Sequence, residues 1–251
     1  MDNKTLSTPT NLQIIYEDNH LIAINKRPGD IVQGDKTGDA PLSEVVKEYI
    51  KTKYNKPGNV YLGVTHRLDR PTSGVLLFGL SKEIAQLMGE QFEQRLLQKT
   101  YWAIVRGYIN NEGIIDHPIK PTADFKRDKE RIAQKEAQEA ITGYRRLGTL
   151  ELPYLVDQFP TSRYSLVELS PQTGRKHQLR KHLKHLSHPT IGDPKYGKSK
   201  HNHFFKEHFN CHRLLLAATQ LTFTHPITHA PLTISAPVED VFSDISQLFT
   251  P

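Results

Sequence analysis

The chain has 251 residues, enough for one large domain or two small ones with a sizeable core. Its 33 Lys and Arg against 27 Asp and Glu leave a formal charge of +6, and 13 histidines add to a basic character that points toward a polyanionic partner. Cys211 is the single cysteine, which excludes an intrachain disulfide and a cysteine-based zinc site. The opening MDNKTLSTPTNLQ has no apolar signal core, and no apolar run approaches about 20 residues, so a cytoplasmic chain without a membrane span is expected.

Residues 1 to 11 are polar and read as a flexible tail, with one domain expected over 12 to 251. LQIIYEDNHLIAINKRPG reads as a hairpin turning at Glu-Asp-Asn. IVQGDKTGDAPLSE is a Gly/Asp/Pro loop without the Gly-Lys-Ser/Thr ending of a phosphate-binding loop, and a helix through VVKEYIKTKY follows it. NVYLGVTHRLDR is a strand running into a loop, and GVLLFGL is the next strand. Ser81 is placed to cap a helix through SKEIAQLMGEQFEQRLL. Ile84, Leu87, Met88, Gln91, Phe92 and Leu96 fall at helical spacing there, a stripe of five apolar side chains expected to face the core.

KTYWAIVRGYI alternates as a strand, with Tyr101, Ala103 and Val105 on one face and Trp102 and Ile104 on the other. Residues 120 to 138 are strongly charged and nearly free of large apolar residues, and they read as an exposed connection rather than a domain boundary; contact with a partner there is left open. EAITGYRRLGTLEL and SRYSLVELSPQ are strands, a basic helix is expected from near Gly174, and short strands in LTFTHPIT and PLTISAP close the chain. Runs of strands with a few helices between them predict an α+β fold with a mixed, largely antiparallel sheet.

Three chemistries compete for these residues. His177, His182, His185 and His188 crowd one segment and HNHFFKEHFNCH adds four histidines. No His-Glu-x-x-His pattern occurs, and the interleaved lysines repel a cation, so no metal is expected. RPTSGV is not a Gly-x-Ser-x-Gly elbow, which removes the case for a serine hydrolase. The basic segment TGRKHQLRKHLKHLSHP is more informative. Leu179, Leu183 and Leu186 share one helix face, His177, Arg180, Lys181, Lys184 and His185 spread over the other, and no Asp or Glu lies between Arg175 and Thr190. Such a single-sign face suits a phosphate backbone, with Lys176, Lys181, Lys184 and His185 as its candidate contacts. A solvated amphipathic helix has the same pattern.

HRLDRPTSGVLLF places Asp69 between Arg67 and Arg70. Alone, this carboxylate would read as a structural ion pair. With its neighbours it resembles the signature of the pseudouridine synthases related to the ribosomal large-subunit enzyme A. KTYWAIVRG resembles that family's second motif and SPQTGRKHQLRKHLKHLSHPTIGDPKYG its third, while IIYEDNHLIAINKRPG resembles the opening hairpin; together they cover roughly residues 12 to 237. The branch acting on uridine 65 of tRNA is the most similar, through QFEQRLLQKTYWAIVRG and the HNHFF that follows the third motif. Arg27 in NKRPG departs from many relatives at a loop where little effect is expected, and a catalytic domain without an S4-type module is expected.

The resemblance implies an RNA uridine-to-pseudouridine isomerase: the bond from ribose to N1 is cleaved, the base turns, and it is rejoined through C5. It makes Asp69 the catalytic carboxylate, consistent with the use of carboxylates at anomeric centres. Arg180 would be the ion-pair partner favouring the ionised form. Tyr101 would pack on the target base, Arg67 would enter the RNA where the uridine has left, and Ile191 would complete an apolar wall. Rearrangement within one substrate implies no cofactor and no obligate protein partner, and a monomer is expected. An rRNA substrate, or RNA binding without catalysis, remains the alternative.

Overall fold

The computed structural model describes residues 6–34, 38–122 and 134–251. In chain order the strands are β1 (Ile14–Glu17), β2 (Leu21–Lys26), β3 (Gly63–Val64), β4 (Ser73–Gly79), β5 (Gln98–Arg106), β6 (Glu112–Asp116), β7 (Ile141–Leu152), β8 (Ser162–Pro171), β9 (Leu216–Thr224) and β10 (Pro231–Ser235). The helices are α1 (Leu42–Lys53), α2 (Lys82–Glu93), α3 (Gln178–His185), α4 (Ser199–Phe209) and α5 (Asp240–Ser246). The described residues form two compact units. One runs to Lys99 and resumes over Leu216–Val238; the other comprises Thr100–Leu215 and Glu239–Pro251.

In the first unit β1 and β2 form the expected hairpin. Its turn is held by Asp18, whose Oδ1 accepts from the His20 and Leu21 amides at 2.7 Å each. β2 pairs antiparallel with β4, β3 also pairs with β4, and β9 joins β4 in parallel, with β10 antiparallel on β9. Every residue of β2 and β4 is buried, because both faces of these strands are covered. Leu21, Ala23, Val75 and Leu77 pack with Ile84 and Met88 of α2. Ile22, Ile24, Leu76 and Phe78 pack with Leu42, Val46 and Ile50 of α1.

Ser81 caps α2 as expected, its Oγ accepting from the Ile84 amide at 3.2 Å. The apolar stripe is shorter than its spacing predicts. The helix ends at Glu93, Arg95 turns left-handed at φ 59, and Leu96 is 63% exposed while Leu97 is buried in its place.

Two further expectations need correction. Of the expected flexible tail, residues 1 to 5 lie outside the described residues, while in residues 6 to 11 the Ser7 amide and Oγ donate to Asp30 at 2.9 and 2.7 Å. Arg27 belongs to the same arrangement, its amide donating to Asp30 Oδ2 and its Nη2 to the Asn11 carbonyl, so it anchors this segment where little effect was expected.

The second unit is an antiparallel sheet in the order β5-β8-β7-β6, with β5 entering it at Thr100. The β6, α4 and α5 elements carry no sequence expectation. β6 has only five residues, and the histidine-rich α4 buries just His201, Phe204 and Phe205. The basic helix starts at Gln178, four residues beyond Gly174. The intervening Thr-Gly-Arg loop is held by the Gln178 side chain, whose Oε1 accepts from Thr173 Oγ1 and the Arg175 amide at 2.7 and 2.9 Å. Of the connection over 120 to 138, positions 123–133, including Lys126, Arg127, Lys129 and Arg131, lie outside the described residues.

Candidate active site

The loop between β3 and β4 carries HRLDRPTS, and the path of its backbone is determined from beneath by a lysine. Lys26 is fully buried, and its Nζ donates to the carbonyls of Arg27, Arg70 and Thr72 at 3.0, 2.9 and 2.8 Å. The Gly29 amide also donates to the Arg70 carbonyl at 2.9 Å. Within the loop the Thr72 amide returns to the Asp69 carbonyl at 3.0 Å, closing a turn over Arg70 and Pro71. Gly74 then brings the chain onto β9 at φ 111, where an added Cβ would stand 2.0 Å from the Ala218 carbonyl oxygen, so only glycine fits.

These restraints decide where the motif's side chains go. Leu68 is buried as an anchor, Asp69 is half-buried, and Arg67 is exposed. Arg70 forms an ion pair with Asp39. His66 points inward, its Nε2 accepting from the Leu77 amide at 3.0 Å and its ring stacked on Phe92 at 4.7 Å. Loss of solvation, reinforced by the Lys99 charge, pushes the His66 imidazole down to about 3, so it stays neutral. Lys99 is itself lowered, first by burial and then by Arg95.

In the second unit, Tyr101 stands half-buried in β5 opposite Leu169 of β8. Ile191 is 1% exposed, its amide donating to the Ile104 carbonyl and its carbonyl accepting from Leu215, so its side chain is a core residue in this conformation. Arg180, expected on the outward face of the basic helix, is buried. Its Nε and Nη2 donate to Asp193 Oδ2 and Oδ1 at 2.7 and 2.8 Å. Burial opposes ionisation of Asp193. That effect is outweighed by Arg180 and by the Tyr196 and Lys195 amides, which hold the carboxyl below the usual range.

His182, on the same helix, is also buried, between Thr142 Oγ1 at 2.9 Å and the His117 carbonyl at 3.0 Å, and desolvation lowers its pKa. Helical spacing places the leucines correctly but misses that flanking polar positions can be buried when a partner awaits them. The outward face therefore consists of Lys184 and His185, which are exposed, with Lys176 and Lys181 half-buried. His185 stacks on His117 at 3.7 Å, and Lys181 Nζ donates to the Lys120 carbonyl at 3.1 Å.

Two structural supports of these loops are not carried by local spacing: Lys26, whose acceptors lie up to 46 residues away, and Asp193 as the partner of Arg180. The Gly-Asp pair of the third motif was the only available signal for the second. Among the described residues no group of three or more His, Cys, Asp or Glu side chains could hold a metal ion. No described helix is long and apolar enough to cross a membrane.

A family model described as RNA pseudouridylate synthase matches residues 20–185, a span that includes Arg67, Asp69, Tyr101 and Arg180. The tRNA pseudouridine synthase C of Pasteurella multocida is 47% identical over 238 residues, covering 95% of this chain and 96% of that protein. The enzyme of the same name from Vibrio parahaemolyticus is 43% identical over 242 residues, covering 96% and 95%. Among solved structures, human RNA pseudouridylate synthase domain containing 4 aligns with a TM-score of 0.72 at 26% identity, covering 94% of this chain and 92% of its own. The α+β, largely antiparallel architecture expected from the sequence agrees with that likeness, with β4 and β9 pairing in parallel.

Proposed function

We propose that this chain, which belongs to the RNA pseudouridylate synthase family, converts uridine 65 in the T-stem of tRNA to pseudouridine. The observation that carries the tRNA assignment is the near full-length likeness, at 43 to 47% identity, to proteins named tRNA pseudouridine synthase C. A net charge of +6 and the carboxylate-free basic helix suit a polyanionic substrate.

In this reading the Asp69 carboxylate attacks at the uridine or abstracts a proton to release the base. The C1′–N1 bond breaks, the base turns, a C1′–C5 bond forms, and the proton on C5 is lost as N1 gains one. The reaction is redox-neutral and needs no co-reactant. Support for Asp69 comes from its place, half-buried, on a loop whose backbone is braced by Lys26. Arg180 is assigned to favouring the ionised Asp69, Tyr101 to stacking on the base, and Arg67, which is exposed, to the space vacated when the uridine leaves the stem. Ile191 is retained as the apolar wall beneath the base, and the protein is assigned to the cytoplasm as a monomer.

The test is a map of pseudouridine in total RNA from cells lacking the protein, complemented with wild type or Asp69→Asn. Loss of a T-stem site that only wild type restores supports the proposal. Loss confined to an rRNA site would overturn the substrate, and no change at any site would overturn catalysis.

A further inference from the structure

Tyr196, just beyond Asp193, collects cations around one ring. The Lys184 and Lys195 ammonium nitrogens lie 5.9 and 5.5 Å from its centroid, and the Arg180 guanidinium carbon 5.1 Å. Its hydroxyl is hydrogen-bonded to His177 Nδ1 at 2.9 Å, which fixes the ring's direction. The charge of Arg180 is already matched by Asp193. Lys184 and Lys195 are different: both are exposed, and among the described residues neither forms an ion pair or side-chain hydrogen bond.

The turn holding Lys195 and Tyr196 is preorganised. Asp193 Oδ1 accepts from both their amides, at 2.9 and 3.0 Å, and the Gly197 amide closes on the Asp193 carbonyl at 3.1 Å. Asn202 braces it from α4, accepting from the Gly192 amide and donating to the Asp193 carbonyl. At Gly192, with φ 75, an added Cβ would lie 1.9 Å from the Arg213 carbonyl oxygen, so the turn's entry has one backbone path. A rigid turn and the last turn of a helix thus present two uncompensated ammonium groups over one half-buried aromatic ring. Like charges gathered in this way repel until an anion sits between them.

We propose that Lys184 and Lys195, aligned by Tyr196, form a clamp for an RNA phosphodiester. This rests on the reading that the protein acts on RNA, and it adds Lys195 and Tyr196 to the RNA-binding surface. The clamp gives affinity by displacing counterions, so its signature is a salt dependence. The ring holds the two ammonium groups in place by cation–π attraction.

The test measures binding of an unmodified tRNA transcript across a series of KCl concentrations, with pseudouridine formation assayed on the same preparations. Removing both lysines in Lys184→Ala/Lys195→Ala should reduce the slope of log K against log salt by about one per lysine and weaken binding roughly tenfold or more. Lys206→Ala, which removes an exposed charge on α4, should leave the slope unchanged. Tyr196→Phe should keep most of the binding, and Tyr196→Leu should lose much of what the double variant loses. Thermal melting guards against misfolding, and Lys195→Glu provides a second surface variant with a larger expected loss. An unchanged slope in the double variant, or an equal fall in Lys206→Ala, overturns the clamp. Wild type that binds tRNA through the pair yet forms no pseudouridine overturns the proposed function and leaves the clamp standing.

Discussion

Arg180 and Asp193 form a two-point ion pair almost wholly out of water, their side chains 5% and 0% exposed, and the same carboxylate also holds the backbone of Lys195 and Tyr196. The pair therefore couples the basic helix to the turn that follows it. Asp193→Ala would remove a carboxylate from a buried guanidinium and free two amides, and a loss of about 3–5 kcal/mol is expected from denaturant midpoints. The pair also has a pH signature. The Asp193 carboxyl titrates lower in the folded protein than in the unfolded chain. Its stabilisation is therefore complete above the ordinary carboxylate value, about 4, and is lost as pH falls through the folded value.

Buried neutral histidines set a milder limit at higher pH. His201 accepts from Arg106 Nε at 3.0 Å and meets the Tyr164 hydroxyl at 2.9 Å; desolvation, with Arg106 adding to it, pushes it down to about 4. His66 lies at about 3. The unfolded chain protonates both near pH ~6.5. Stability should therefore be full above that value and decline as pH falls toward 4, with a slope on the order of 1 kcal/mol per pH unit for each histidine. Urea midpoints between pH 7 and pH 5 measure it. His201→Gln should flatten the slope, and an identical slope in that variant would refute the assignment.

Lys26→Met removes the ammonium beneath the Asp69 loop and leaves the Arg27, Arg70 and Thr72 carbonyls without it. The Arg70 and Arg27 carbonyls keep their bonds from the Gly29 and Asp30 amides, so the Thr72 carbonyl is the acceptor left unpaired, and a loss of about 1–3 kcal/mol is expected. Isomerisation by the folded fraction should also slow, because the backbone on both sides of Pro71 loses its brace. Circular dichroism melts beside single-turnover conversion of tRNA separate the two effects, and an unaltered rate in stably folded Lys26→Met would show that the brace is not needed for chemistry.

Asp69→Asn should abolish conversion, by roughly 10⁴-fold or more, while leaving folding and tRNA affinity near wild type. The side chain is half-buried on a loop, so its amide is tolerated structurally. Retention of more than a few percent of the single-turnover rate would remove Asp69 from the catalytic role.

Much of the first unit could be read from the chain because its signals are local. Two-sided apolar runs identify β2 and β4, Ser81 announces α2, and the bracketing of Asp69 by Arg67 and Arg70 lies within four consecutive residues. Leu96 shows where locality fails: it continues the helical spacing, but the left-handed Arg95 ends the helix before that spacing can apply.

The residue types of the site, their order and the family they belong to are legible along the chain, since motif spacing and apolar periodicity are properties of neighbouring residues. Tertiary structure alone decided how polar groups were shared out. Arg180 and His182 turned inward because Asp193, Thr142 and the His117 carbonyl wait for them, and Lys26 sits under a loop more than forty residues away. A buried charge is stable only beside a partner. Where folding brings that partner from elsewhere in the chain, periodicity cannot reveal it.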